Sequence, residues 1–306
     1  MRSLDTPHSR QFLSCDACCR AEEASRIHPH LPSADHNGPD LSVAATSAID
    51  VSRNALARAC FNVLGVRVDA VQIPDVMARM ERWIGEKRGS RMIAVTGMHG
   101  VTEAQHQPQL KQVLNSADLV VPDGMPLVWL GRLRGFGLRR RVYGPELMRE
   151  FCRAAAAKRY RQFFYGGAPG VAEELGERLR REFPGLIVAG TFSPPFRELT
   201  GEECEDVARM IRAAAPDVIW VGLSTPRQER WMAEFRARLN GPVMVGVGAA
   251  FDLNTGRVRQ APAWMREHGL EWLWRLLMEP RRLWRRYLVL GPEFVWRVGL
   301  ELLGRG

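Results

Sequence analysis

From residue 91 onward, short apolar runs alternate with stretches of helical periodicity, and this alternation restricts the fold more than any other feature of the chain. The runs are RMIAV (91–95), ADLVV (117–121), RQFFYG (161–166), LIVAGTF (186–192), DVIWVG (217–222) and VMVGVG (243–248). Between them lie helical patterns such as PELMREFCRAAAAKR, PGVAEELGERLRREF, GEECEDVARMIRAAA and RQERWMAEFRARL. Strands buried on both faces read as continuous apolar runs, and helical crossovers between them give a parallel order. The expected class is therefore α/β, a Rossmann-like and largely parallel sheet flanked by helices. Pro145 and Pro169 are placed just inside two of the helices, where a missing N–H costs least. FNVLGVRVDAV is expected as a first strand region, with a helix starting near Pro74.

Three segments follow from this pattern. Residues 1–58, rich in Ser, Pro, His, Asn and Asp and lacking periodicity, read as a poorly ordered extension. Residues 59–256 make the α/β core, and 257–306 a helical C-terminal appendage. Cys15, Cys18 and Cys19, with His28 and His30, have too few apolar neighbours to fix a metal, whereas Cys60, Cys152 and Cys204 read as buried thiols. No apolar run approaches the ~18 residues of a spanning helix. The N-terminus also lacks the apolar stretch of a secretory signal. A cytoplasmic chain, at most peripheral on the inner face of the membrane, is expected. The net charge of +9 points to an anionic partner, whether nucleotide, lipid headgroup or nucleic acid.

The appendage is the most unusual stretch, holding ten of the 43 Lys and Arg residues and five of the nine Trp. On a regular helix, Arg281, Arg282, Arg285 and Arg286 share one arc, and Leu283, Trp284, Tyr287 and Leu288 fill the rest. Such a helix suits a membrane surface, with Trp at headgroup level and Arg facing anionic lipid. It equally suits a diphosphate, which the planar guanidinium fork matches. A core helix with solvated arginines is the plainer alternative, and five Trp count against it.

Ligands of open α/β sheets bind outside the carboxyl ends of the strands. There the sequence places Thr96, Asp123, Gly166–Gly167, Ser224–Thr225 and Gly248. Asp123 is either a general base, its pKa raised by burial, or the N-cap of a helix near Pro126; position alone leaves the two balanced. GGAPG (166–170) suits a phosphate at a helix N-terminus, although a plain tight turn explains it as well. VGVGAAFDLNTG carries Phe251 where a dinucleotide fingerprint needs glycine, and no helical pattern opens directly after it. Gln228 is suited to a sugar hydroxyl or to structure, and Glu229 to the first turn of a helix. His99 and His106 lack the partners of a metal site. No D-x-D occurs in 59–306, so a diphosphate handled here is balanced by arginines rather than a metal.

Taken in order, six segments resemble the WecG/TagA/CpsF family of bacterial glycosyltransferases over roughly residues 60–290. They are ADLVVPDGMPLVW, RVYGPEL, YGGAPG, VGLSTPRQERW, VGVGAAFDLNTGRVRQAPAWM and GLEWLWRLLMEPRRLWRRY. The resemblance implies an inverting, metal-independent transfer from a UDP-sugar to a polyprenyl-diphosphate-linked acceptor, without a cofactor, in surface or exopolysaccharide biosynthesis. It implies that Asp123 deprotonates the acceptor hydroxyl, that Thr96 lines the reaction centre and that Gln228 sits beside the sugar. Arg275, Arg282 and Arg285 match appendage arginines that meet the diphosphate at the membrane. Backbone amides at Gly166, Gly167 and Gly170 are candidate nucleotide contacts, and Ser224 a further substrate-binding candidate.

Met98 stands where many relatives carry Asn, and Pro126 where they carry a small residue, so the donor does not transfer from them. N-acetylmannosamine, its uronic acid and a hexose such as glucose are the donors considered. GMHG together with DGMPLVW looks more like relatives from exopolysaccharide operons than like teichoic-acid enzymes. A nucleotide-dependent oxidoreductase would need a glycine fingerprint and an acidic ribose ligand, and the sequence has neither. A non-catalytic basic protein of membrane surfaces or nucleic acid would not need unusual residues at its strand ends. No nucleic-acid partner is expected. Removing 257–306 is expected to leave a folded, soluble core without membrane binding.

Overall fold

In the computed structural model, which describes residues 59–304, the first strand region is a hairpin. β1 (Cys60–Val63) and β2 (Val66–Asp69) pair antiparallel around Leu64 and Gly65, whose φ angles are 53° and 78°. Two consecutive positive φ values give the turn whose twist matches its flanking strands. Residues 1–58, including Cys15, Cys18, Cys19, His28 and His30, lie outside the described residues.

The six apolar runs become β3 (Arg91–Thr96), β4 (Leu119–Pro122), β5 (Arg161–Gly166), β6 (Ile187–Phe192), β7 (Val218–Gly222) and β8 (Val243–Gly246). They form one sheet in the order β4-β3-β8-β7-β5-β6, parallel at every pairing, so the expected fold class holds. The chain steps from β3 outward to β4, crosses to β5 and β6, and returns through β7 to β8 beside β3. That reversal gathers the carboxyl ends of β3, β4, β7 and β8 around one crevice.

Alternate strand residues serve opposite faces. Met92, Ala94, Val120, Ile219 and Val221 enter one core with helices Met98–His106, Pro108–Ser116, Gly201–Ala214 and Arg227–Arg236. Ile93, Val95, Leu119, Val121 and Trp220 enter the other with helices Ile73–Glu86, Gly144–Lys158, Val171–Glu182 and Ala250–Thr255. Three local expectations are corrected. Pro145 is inside its helix, but Pro169 lies before Gly170, whose φ of +82° caps the next helix from outside. A helix does open after VGVG; at six residues, Ala250–Thr255 is too short to show a period. Cys152 and Cys204 are buried, but Cys60, at the start of β1, is only half-buried.

The C-terminal stretch is a run of helices: Ala263–Glu267, Glu271–Met278, Pro280–Trp284, a π turn at Arg285–Val289, and Leu290–Leu302. Phe294 and Val298 bury themselves in the first of the two cores. Polar ties reinforce the contact: Leu64 N–H donates to Glu301 Oε2 (3.1 Å), and Arg134 pairs with Glu301 (3.2 Å). His106 Nε2 lies 2.9 Å from the Glu293 carboxylate. Among the described residues no helix is long and apolar enough to cross a membrane.

Candidate active site

Asp123 follows β4 directly, and its backbone fixes it: the Asp123 N–H donates to the Thr96 carbonyl at the end of β3 (2.7 Å). Gly97 passes so close that a Cβ there would sit 2.5 Å from Asp123 O, so only glycine lets the two strand ends meet. The helix that follows, Met125–Leu133, has Gly124 as its N-cap and no side-chain cap bond. The Asp123 carboxylate is thus not spent on capping. One of its oxygens, Oδ1, is buried without a partner.

That carboxylate faces a cavity of about 270 Å³ lined also by Met98, His99, Pro126, Arg141, Tyr143, Arg275 and Arg286. Burial pushes the Asp123 pKa up; Arg141, Arg286 and Arg275 pull it down and Glu271 pushes it up, and burial wins. Burial, then Arg286 and Arg275, hold the His99 imidazole well below its ordinary value, so it is neutral near pH 7. The result is the Asp123 carboxylate, with one oxygen buried, and a neutral imidazole beside three guanidinium groups, with Glu271 a second carboxylate in the same cavity.

Segment RVYGPEL supplies the link between core and appendage. The Arg141 guanidinium lies over the Tyr143 ring, 4.1 Å from its centroid, and pairs closely with Glu271. Tyr143 O–H donates to Glu271 Oε1 (2.9 Å), and burial pushes the phenol pKa up. Glu271 begins helix Glu271–Met278, and Arg275, one turn on, reaches the cavity with its Nε buried and unpartnered.

A narrower recess continues under the crevice, lined by Asp123, His99, Ser224, Thr225, Gln228, Gly248, Arg275 and Arg286. Ser224, at φ 64°, occupies the left-handed region and turns the loop after β7 toward this recess. Gln228 is buried and its amide is committed: Oε1 accepts from Gly248 N–H (2.8 Å), and Nε2 donates to Glu229 Oε1 (3.0 Å). Glu229 also accepts from Thr225 Oγ1 (2.9 Å), and burial raises its pKa. It stands in the first turn of helix Arg227–Arg236, as its sequence position suggested, and is also fully buried there.

The remaining predicted residues fall in different places. Thr96 is fully buried beneath Gly100, its Oγ1 without a partner, and holds Asp123 through its carbonyl. Gly166, Gly167 and Gly170 line neither the cavity nor the recess. At Gly166 (φ 129°) a Cβ would lie 2.6 Å from Gly222 O, and Gly167 N–H already donates to that carbonyl (3.1 Å). Close packing of β5 on β7 accounts for Gly166, and at Gly167, with φ 76°, a Cβ would meet Val171 Cβ at 2.9 Å. Arg282 is exposed and pairs with Glu279 (2.7 Å), while Arg285 is exposed and lines neither space.

Arg286 is in the cavity instead. Leu283 and Leu290 are buried, and Arg286 and Tyr287 lie on the same inward stripe at i, i+3, i+4 and i+7. That spacing is readable in the sequence and would have selected Arg286 over Arg285. Arg141, Tyr143 and Glu271 had no such local signal, because Glu271 lies 130 residues from its partner Arg141. His99 was weighed only as a metal ligand. Among the described residues no group of three or more His, Cys, Asp or Glu is placed to hold a metal ion.

A parallel α/β sheet with an acid and clustered guanidinium groups at its carboxyl edge suits an enzyme that handles anionic substrates, and comparison with known proteins gives the class. The chain belongs to the glycosyl transferase WecG/TagA/CpsF family, whose model matches residues 61–306, and it is a glycosyltransferase. It is 35% identical over 216 residues to an N-acetylglucosaminyldiphosphoundecaprenol N-acetyl-beta-D-mannosaminyltransferase of Bacillus spizizenii, covering 71% of this chain and 81% of the relative. A Bacillus subtilis protein of the same name is 33% identical over 186 residues (61% and 70%). One from Staphylococcus aureus is 26% identical over 239 residues (78% and 91%).

Proposed function

We propose that the protein moves a sugar from a UDP-sugar to a hydroxyl of a polyprenyl-diphosphate-linked acceptor, with inversion, at a membrane surface. The observation that carries this reading is the uncapped, half-orphaned Asp123 carboxylate facing Arg275 and Arg286 across one cavity. The acceptor O–H gives its proton to Asp123 as its oxygen bonds to the anomeric carbon. The bond from that carbon to the UDP oxygen breaks, and UDP leaves with the electron pair. Positive charge grows on the ring, as in other glycosyl transfers, and negative charge grows on the departing diphosphate. Arg275 and Arg286 are placed to receive the latter.

The same arginines tune the base. They lower the Asp123 pKa against the larger effect of burial. A bound diphosphate neutralises part of their field, so the carboxylate becomes more basic as the donor arrives. Neutral His99, on the same wall, can donate or accept one hydrogen bond to the sugar. Gln228 acts by holding Gly248 in place beneath it.

The name that these relatives share supports a single-sugar diphosphate-lipid acceptor and an N-acetylmannosaminyl donor. Met98 and Pro126 both line the Asp123 cavity. Met98 offers that cavity an apolar surface, which favours a donor with few polar contacts there, such as a plain hexose. The deciding assay supplies a panel of UDP-sugars with a synthetic lipid-diphosphate sugar and follows UDP release. Acceptor-dependent release from one donor is expected; release from none would overturn the reading.

A further inference from the structure

Beside the Asp123 cavity, sharing Met125, Trp129, Arg141 and Tyr143 with it, lies a larger basin of about 1000 Å³. Helices Gly144–Lys158 and Ala263–Glu267 both contribute to its lining. Seven arginines face it against two glutamates, Glu146 and Glu150. Three of the seven are paired: Arg140 with Glu146, Arg141 with Glu271 and Arg149 with Glu182. Among the described residues the other four pair with no carboxylate. Arg132 donates to the carbonyls of Leu138 and Arg139 (both 2.6 Å), and Arg178 to that of Thr255 (2.7 Å). Arg139 and Arg266 make no ion pair among the described residues, and Arg266 Nε is buried without a partner. Seven guanidinium groups against two carboxylates around one concavity repel each other and draw in an anion.

We propose that this basin binds the diphosphate of the lipid-linked acceptor, leaving Arg275 and Arg286 to the nucleotide diphosphate. The inference rests on the glycosyltransferase reading above, which brings two diphosphates to one cleft. Two such groups on one set of guanidinium forks would repel each other strongly, so each needs its own set. An acceptor with one sugar must hold its reacting hydroxyl at Asp123 and its diphosphate a ring's length away. Arg141 and Tyr143 line both spaces, so the basin adjoins the Asp123 cavity. Trp129, half exposed at the rim, leaves an apolar exit for the prenyl chain.

The test uses the full chain saturated with UDP, so that added inorganic pyrophosphate is left only the basin. Titration calorimetry should show one pyrophosphate bound, and the Arg139→Gln/Arg266→Gln double variant should bind it about tenfold or more weakly. UDP affinity should be unchanged, and Arg139→Lys/Arg266→Lys should keep most of the pyrophosphate binding, which separates charge loss from misfolding. In steady-state assays the Gln variant should raise KM for the lipid acceptor and not for the donor. Equal pyrophosphate affinity in the Gln variant overturns the basin as an anion site. A raised donor KM, or weakened UDP binding, overturns its assignment to the acceptor. If the wild type turned over no UDP-sugar, the proposed function would fail while the calorimetry still decided the basin.

Discussion

At Asp123 burial and electrostatics pull in opposite directions, and the net effect has a sign that can be measured. The folded chain holds this proton more tightly than the unfolded chain does, because burial outweighs Arg141, Arg286 and Arg275. Between the ordinary aspartate pKa and the raised one, the folded state therefore binds more protons. The stability linked to Asp123 is greatest below that window and falls as pH rises through it. Catalysis runs the other way, since the base acts only when ionised, so kcat/KM should climb with pH across the same window. A kcat/KM profile whose acid limb lies at or below the ordinary aspartate range, about pH 4, would contradict the burial argument. Residues of this kind are only half legible in a sequence. Asp123 stood out because it follows an apolar strand, but its freedom from capping depends on Gly124 taking that position. His99, Arg141 and Tyr143 become functional through what faces them, and no local pattern records that.

Among the elements, the sheet strands were the most legible because the apolar run is unbroken and, the edge strand β6 apart, both faces are largely buried. The hairpin β1–β2 and helix Ala250–Thr255 were less so, since two turn residues or one helical turn leave little periodicity. The appendage repays a closer look at its two sides. Its inward stripe carries Leu283, Arg286 and Leu290. Outward, Trp264, Trp284 and Trp296 are 58%, 53% and 69% exposed, with Leu277, Leu288 and Val295 also open to solvent. Arg281, Arg282 and Arg285 are exposed among them. Aromatic and aliphatic groups interleaved with guanidinium groups form the surface that a bilayer interface accepts. We therefore expect sedimentation with anionic vesicles to fall several-fold in Trp284→Ala/Trp296→Ala and to weaken with salt. Turnover of a short-chain, water-soluble acceptor should be unaffected. Vesicle binding equal to wild type would show that these helices are not the membrane contact.

For the molecule as a whole, core and appendage are less separable than the sequence suggests. Removing 257–306 would strip Phe294 and Val298 from a hydrophobic core and leave Arg141 and Tyr143 without Glu271. Loss of two buried apolar side chains and one partner of a largely buried ion pair costs several kcal/mol. Such a truncation therefore tests folding as much as membrane binding, and point substitutions are the cleaner probe. The net charge of +9 also gains a location: much of it lines a basin and a cavity where anionic substrates are handled. What unites these scales is a carboxylate at the end of β4 acting as base on a lipid-linked alcohol. Asp123→Asn tests this most directly, by pairing the turnover rate with UDP affinity in one preparation. The account predicts a loss of about 10²–10⁴ in kcat with UDP binding little changed, and full turnover by that variant would contradict it.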